Sequence, residues 1–324
     1  MQVLIIKTSS MGDVLHTLPA LTDAASALPG ISFDWVVEDT FTEIPTWHPA
    51  VRKVISVAIR RWRKHWFGSS TRQERGEFRR LLQREHYDVI IDAQGLIKSA
   101  ILVTYVAHDE KHGLDYKSAR EPFASWFYQR RHAVSKQQHA IERIRQLFAA
   151  SLGYQLPTEP GDYAIAGNFS PPRGAEPPYL IFLHATTKSS KHWPESHWQA
   201  LIKLADEAGY RIKVPCCGTA QEQQRAAKRL TEGSSQAEVL PPLSLAQIAQ
   251  QLVGATAVVS VDTGLSHLAA ALNRPNLTLY GPTDPKLIGG YGRYQLALCA
   301  QDSHMVSLTP QCVWQAFQPM LFIT

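Results

Sequence analysis

The sequence predicts an α/β protein of two similar halves, each a parallel sheet covered by helices and the two facing each other across a cleft. Two observations lead there. Short apolar runs alternate with stretches of helical spacing over residues 1–155, and the alternation restarts after residue 178. Between the two series, Pro157, Pro160, Pro171, Pro172, Pro177 and Pro178 crowd a segment without helical period, the mark of a connection between domains. The 324 residues also suit two domains at the usual ~100–200 residues each. The expected division is 1–156, a linker over 157–178, 179–308, and a C-terminal segment over 309–324.

In chain order, residues 1–6 read as a strand, Lys7 to Asp13 as a polar loop, and Val14, Leu15, Leu18 and Leu21 as a helix face; Pro19 makes the start of that helix ambiguous. Strands are expected at 33–37, 54–59 and 88–91, with a helical pattern over 77–84. After the linker come a strand at 179–183, a helix over 195–208, a strand at 211–215, a helix over 222–230, and strands at 258–261 and 277–280. Sheets of this kind bind ligands at the carboxyl ends of their strands, and each half has a polar motif there.

Composition narrows the classes. With 44% apolar and 19% charged residues the chain is neither disordered nor fibrous. The four cysteines, Cys216, Cys217, Cys299 and Cys312, contain no C-x-x-C pair, so neither a disulfide framework nor a four-thiolate zinc site is expected. The longest apolar stretch, 252–272, is interrupted by Asp262 and His267, so no membrane span is expected. Net charge is +5, and residues 1–155 hold all of the excess, 21 Lys and Arg against 16 Asp and Glu, while the rest balances 12 against 12. Within 52–84 there are 11 basic residues and only Glu74 and Glu77, which points to an anionic partner for the first half.

Three motifs carry chemistry, each with a plainer reading beside it. Ser9-Ser10-Met11-Gly12-Asp13 joins the first strand to the first helix; Asp13 there can take a proton from a bound hydroxyl, or Asp13 and Ser10 can simply cap the helix. Arg60-Arg61-Trp62-Arg63-Lys64-His65-Trp66 follows the 54–59 strand as a basic loop. It suits phosphates or carboxylates with aromatics packing on sugar or lipid, or nucleic acid, or it is a solvated loop with the tryptophans tucked beneath. Ser260-Val261-Asp262-Thr263-Gly264-Leu265-Ser266-His267 ends a buried strand and opens a small-residue helix whose N–H groups would face a diphosphate. An N-cap at Asp262 accounts for less of it, because it leaves Ser266 and His267 unexplained. Before another helix, His184-Ala185-Thr186-Thr187 and Lys191 supply hydroxyls and an ammonium that suit a leaving diphosphate. The loop Tyr280-Gly281-Pro282-Thr283-Asp284-Pro285 follows the last expected strand.

Absences exclude others. There is no G-x-G-x-x-G after a strand, no G-x-x-x-x-G-K-[ST], no G-x-S-x-G and no H-E-x-x-H, which argues against dehydrogenases, P-loop NTPases, serine hydrolases and zincins. No D-x-D pair is present, so nothing in the sequence calls for a metal or other cofactor.

At these motifs the chain resembles the bacterial lipopolysaccharide heptosyltransferases of glycosyltransferase family 9. The likeness covers K-T-S-S-M-G-D-V-L-H-T-L-P-A-L at 7–21, I-R-R-W-R-K at 59–64, I-D-A-Q-G-L at 91–96, H-A-T-T at 184–187, K-H-W-P-E at 191–195, V-S-V-D-T-G-L-S-H-L at 259–268 and Y-G-P-T-D-P at 280–285. The resemblance implies the two-Rossmann glycosyltransferase B fold, with an acceptor-binding N-terminal domain, an ADP-sugar-binding C-terminal domain, and a tail that packs back on the first. It implies an inverting, metal-independent transfer of L-glycero-D-manno-heptose from ADP-heptose to the first Kdo of Kdo2-lipid A, at the cytoplasmic face of the bacterial inner membrane. The chain would be held there peripherally, with no nucleic-acid partner. Carried onto this sequence, it makes Asp13 the base and Lys191 the second catalytic group. Thr186, Thr187, Lys191, Glu222, Asp262, Thr263, Gly264 and His267 would bind the donor. Lys7, Ser10, Arg60, Arg61, Arg63, Lys64, Lys98, Arg120 and His139 would meet the anionic acceptor. The nearer alternatives are a family member acting on an already heptosylated acceptor and another sugar transferase; the alternative of another class is a non-enzymatic module that binds an anionic lipid or nucleic acid.

Overall fold

The computed structural model describes residues 1–65, 67–105, 110–171, 177–216 and 228–323. Two compact units divide between Ala164 and Ile165. The first unit thus runs past the expected boundary at 156, because Arg145 holds the start of the proline-rich segment: its Nη2 donates to the carbonyls of Pro157 (3.4 Å) and Glu159 (2.9 Å).

The first unit contains β1 (Gln2–Ile6), α1 (Met11–Leu15), α2 (Leu18–Ala27), β2 (Ser32–Glu38), α3 (Glu43–Thr46), β3 (Val51–Val57), α4 (Ile59–Lys64), α5 (Ser69–Gln83), β4 (Val89–Asp92), α6 (Ile97–Val103), β5 (Glu110–Leu114), β6 (Arg130–His132) and α7 (Ala140–Leu152). Its six strands are parallel, in the order β3-β2-β1-β4-β5-β6. The direction of strand order reverses between β1 and β4, where a sheet of this kind opens a crevice at its carboxyl edge. Pro19 resolves the ambiguity in the first helix: the chain breaks at His16 and Thr17 and restarts as α2 with the proline in its first turn, where no N–H is required. The basic segment expected as a loop is instead the short helix α4, which begins at Ile59 because β3 ends two residues earlier, at Val57. A buried ion pair, Arg145 Nε to Asp23 Oδ2 at 2.6 Å, ties α7 to α2.

The second unit contains β7 (Tyr179–Leu183), α8 (Glu195–Glu207), β8 (Arg211–Pro215), β9 (Ala237–Leu240), α9 (Leu245–Gly254), β10 (Ala257–Val261), α10 (Gly264–Ala271), β11 (Asn276–Tyr280), α11 (Pro285–Ile288), β12 (Gln295–Cys299) and α12 (Pro310–Phe317). Its parallel order is β12-β11-β10-β7-β8-β9, so the reversal falls between β7 and β10. The helix expected over 222–230 lies largely outside the described residues. The tail expected to return to the first domain packs within the second: Val313, Trp314 and Phe317 of α12 join the core of Phe182, Trp193 and Trp198, and Trp193 Nε1 donates to the Leu308 carbonyl at 2.8 Å. An apolar helix face of this size is stable only when buried, and α8 supplies its partner.

β5, β6, β9 and β12 were not expected from the sequence. They are edge or near-edge strands with little apolar alternation, such as the Arg130–His132 triplet of β6, and pair because the neighbouring strand offers its backbone.

Candidate active site

The first unit gathers its charged groups at the β1/β4 reversal. Ser10 precedes α1, and Asp13 in the first turn accepts through Oδ2 from the Ser10 amide (2.9 Å) and the Ser10 hydroxyl (3.1 Å). The capping role and the chemical one therefore coexist, since Oδ1 is turned toward Lys7 Nζ at 3.9 Å and the side chain keeps 34% of its surface exposed. The Lys7 ammonium is buried and donates to the Ala93 carbonyl at 2.8 Å. Burial pushes it below the usual lysine range; Asp13 and Asp92 oppose that shift, while Arg143 and Arg120 add to it.

The I-D-A-Q-G-L segment holds this loop in place. Asp92, fully buried at the end of β4, accepts from the amides of Gln94 (2.8 Å) and Gly95 (3.2 Å), from Ser99 Oγ (2.9 Å) and from Tyr128 Oη (2.7 Å). Burial raises its pKa, and these four bonds counter the effect. Gln94 Oε1 in turn accepts from the Thr8 and Ser9 amides at 3.0 and 3.2 Å, fixing the chain just before Ser10. Tyr128 reaches Asp92 across Gly113, where any Cβ would lie 2.3 Å from its ring.

Arg143, not anticipated from the sequence, belongs here. Burial lowers the pKa of its half-buried guanidinium, Asp13 opposes that shift in part, and Nη2 donates to the Ser118 carbonyl at 3.2 Å. The available signal was its spacing: four residues after His139, it lies on the same face of α7. His139 itself caps α7, its Nδ1 accepting from Ile141 N at 3.2 Å, and its ring stands edge-on to His16 with centroids 5.6 Å apart.

The remaining predicted acceptor residues spread along the same carboxyl edge. Arg60 and Lys98 both act on Glu38, a buried carboxylate at the end of β2 that sequence reasoning passed over; burial raises its pKa and the Arg60 amide donates to it at 2.8 Å. Arg61 is engaged by Glu74 at 2.7 Å, and Trp62 is buried and donates to the same carboxylate at 2.8 Å, so this tryptophan is part of the core rather than a sugar platform. Arg63 and Lys64 are exposed; Trp66 lies outside the described residues. A cavity of about 510 Å³ beside α4 is lined by Asp39, Arg61, Trp62, Glu74, Arg80 and Arg84, and by none of Lys7, Ser10 or Asp13.

In the second unit the β7/β10 reversal brings the H-A-T-T and D-T-G segments together. Lys191 Nζ meets Asp262 Oδ2 at 2.5 Å, with the carboxylate side chain 6% exposed. Thr186 Oγ1 donates to the Asp262 carbonyl at 3.1 Å, and His192 Nε2 lies 2.9 Å from the Thr186 carbonyl. Thr187 is exposed next to them. Thr263 is the N-cap of α10 and Gly264 its first residue, so the helix presents its N–H ends beside the Lys191 ammonium, which has three donors and spends one on Asp262. Ser266 and His267 are buried, and Ser266 Oγ donates to the Thr263 carbonyl at 2.7 Å. In His184, at the head of the H-A-T-T segment, burial pushes the imidazole down to about 4, so it is neutral near pH 7. Glu222 and Cys217 fall outside the described residues, and Cys216 is a buried thiol. Among the described residues no group of three or more His, Cys, Asp or Glu could hold a metal ion, and no helix is long and apolar enough to cross a membrane.

Two parallel doubly wound sheets, one with a carboxylate over its reversal and the other with an ammonium beside a helix N-terminus, have the two-Rossmann architecture of the glycosyltransferase B fold. The chain belongs to glycosyltransferase family 9 (heptosyltransferase), whose model matches residues 75–317. It is similar to lipopolysaccharide heptosyltransferase 1 of Escherichia coli (strain K12), 60% identical over 97% of this chain and 98% of that protein. The structure of the E. coli heptosyltransferase WaaC with ADP superposes with a TM-score of 0.94 at 58% identity, covering 99% of this chain and 100% of that one. The structure of WaaC with ADP-2-deoxy-2-fluoro heptose gives 0.91 at 57%, covering 98% and 99%.

Proposed function

We propose that this heptosyltransferase moves L-glycero-D-manno-heptose from ADP-heptose to the first Kdo of Kdo2-lipid A, with inversion and without a metal, at the cytoplasmic face of the bacterial inner membrane. The observation that carries the reading is Asp13: one oxygen is fixed by Ser10, the other faces the Lys7 ammonium at 3.9 Å, the side chain keeps a third of its surface exposed, and Arg120 and Arg143 lie close by. A carboxylate so held can take the proton of a Kdo hydroxyl while the cations receive the Kdo carboxylate. The deprotonated oxygen attacks the anomeric carbon, the bond from that carbon to the diphosphate oxygen breaks, and ADP leaves with the electron pair. In the second unit the Lys191 ammonium, the hydroxyls of Thr186 and Thr187, and the N–H ends at Thr263 and Gly264 receive the diphosphate charge. Asp262 holds Lys191 in position, and His267 and Glu222 complete the donor site. Lys7, Ser10, Lys98, Arg120, His139 and the α4 cations Arg60, Arg63 and Lys64 meet the acceptor, with Arg61 held by Glu74 beside them, and the basic edge keeps the chain on an anionic leaflet.

Transfer from ADP-heptose to de-acylated Kdo2-lipid A, with and without EDTA and with UDP- and GDP-sugars as competitors, tests this. Product from the ADP sugar alone, unchanged by EDTA, is expected. Product only with an already heptosylated acceptor would move the step one sugar outward, and loss of product with EDTA would overturn metal independence.

A further inference from the structure

The segment after β5 carries aromatic side chains that the folded core does not use. Tyr116, Phe123 and Trp126 are 51%, 49% and 66% exposed, yet they are ordered against one another. Tyr116 and Phe123 meet edge-on with centroids 5.9 Å apart, and Phe123 and Trp126 at 4.9 Å. The 3₁₀ turn Pro122–Phe127 that bears two of them packs on α6, with Ala124 turned inward against the apolar core. The same α6 leaves Ile97 and Ile101, one turn apart, exposed. Large apolar groups left in water in a cluster mark a surface that binds something.

What the cluster fits is set by the charges around it. Lys98, Lys117 and Arg120 lie in the same segments and outnumber the two carboxylates among them, Asp115 and Glu121, each of which is held by a backbone amide. Glu121 Oε2 accepts from the Ile97 amide at 2.7 Å, and Asp115 Oδ1 from the Ser118 amide at 2.8 Å. Topology puts β5 two strands to one side of β1 and β3 two strands to the other, roughly 10 Å each way. The basic helix α4, with Phe67 just beyond it at 81% exposure, therefore flanks Asp13 on one side and the aromatic cluster flanks it on the other. Indole, phenol and aliphatic groups beside lysines and arginines are the composition that settles at the headgroup level of an anionic bilayer.

We propose that Tyr116, Phe123 and Trp126, with Ile97 and Ile101, form a membrane-docking face that enters the interface of an anionic leaflet, the flanking cations resting on its headgroups. This rests on the reading of the acceptor as lipid-anchored: such a face would hold the catalytic edge of the first unit where that acceptor is found. Lys98 and Arg120 serve the acceptor as well, but Phe123 and Trp126 are not among the donor or acceptor groups, so these two aromatics can be removed without substituting any of those groups.

The test uses the full chain and vesicles of phosphatidylethanolamine and phosphatidylglycerol at 3:1, without acceptor lipid. The wild type is expected to float with these vesicles and not with phosphatidylcholine vesicles, and Phe123→Ala/Trp126→Ala to partition about tenfold more weakly. Brominated phosphatidylglycerol should quench wild-type tryptophan emission more than that of Trp126→Phe. On soluble de-acylated acceptor the double variant should turn over within about twofold of wild type, which also shows it is folded, and on vesicle-embedded acceptor it should fall well below. Unchanged flotation together with absent quenching overturns the docking face, as does a double variant that loses self-association but binds vesicles as before. If the wild type fails to turn over even the de-acylated acceptor, the acceptor reading falls, while flotation and quenching still decide the docking face.

Discussion

Each sheet places a lysine and an aspartate at its reversal point, and the two pairs are built for different work. In the first unit Lys7 and Asp13 stand 3.9 Å apart, the lysine buried and the aspartate one-third exposed, its second oxygen occupied by Ser10. In the second unit Lys191 and Asp262 are in contact at 2.5 Å, and it is the aspartate that is buried. An exposed carboxylate loosely held by a cation can accept a proton from a ligand. A buried carboxylate in contact with an ammonium serves to aim that ammonium at another anion. Under the proposed function, the same strand order supports a proton-accepting edge in one unit and a charge-receiving edge in the other.

The largest test of that contrast is to remove the proton acceptor. Asp13→Ala should lower kcat by about 10²–10⁴-fold, the usual worth of a positioned general base, and steady-state turnover on soluble acceptor would measure it. A fall of only a few-fold would leave Asp13 as a helix cap alone.

The next effect is one that the units share. His48 in the first unit and His184 in the second are both held down to about 4, mainly by burial; His48 is only 2% exposed, with Nε2 3.0 Å from Thr22 Oγ1. A histidine in the unfolded chain takes up its proton near pH 6.5, whereas these two resist it until about 4. The unfolded state therefore binds more protons between those values, and stability must fall as pH drops from about 6.5 to about 4. For His48 the loss is on the order of 3 kcal/mol. Melting temperature against pH would show it, and His48→Gln should flatten the curve in that window.

Removing the aimed ammonium comes third. Lys191→Ala leaves the Asp262 carboxylate buried without its partner and takes a donor from the diphosphate, so the KM for ADP-heptose should rise about 100-fold while the KM for acceptor stays near wild type. The smallest effect separates two neighbours on α4. Arg63→Ala should raise the acceptor KM a few-fold, whereas Arg61→Ala should act chiefly by freeing Glu74 and loosening Trp62, so its acceptor KM should change less and its melting temperature more.

How far the sequence reveals this contrast differs by element. The central strands, β1, β4, β7, β10 and β11, are short apolar runs, and the loops that follow them carry the unusual polar strings, so the strands and the two reversal-point motifs were legible together. The edge strands were not, because a triplet such as Arg130–His132 acquires its extended shape from its neighbour rather than from its own pattern. Basic α4 reads as a solvated loop until Glu38 is seen accepting from the amide of Arg60 at its start. Arg143 and Glu38 were missed for a common reason: their roles depend on burial beside charges brought in from other strands and helices. Arg61 shows the converse, a cation that looks available in sequence and is occupied by Glu74, 13 residues on.

The division of labour between the two edges is measured most directly by the affinity of ADP-heptose for Asp13→Ala and for Lys191→Ala, titrated without acceptor. Asp13→Ala should bind the donor within about twofold of wild type, while Lys191→Ala should bind it about 100-fold more weakly. Donor binding lost in Asp13→Ala, or retained in Lys191→Ala, would contradict it.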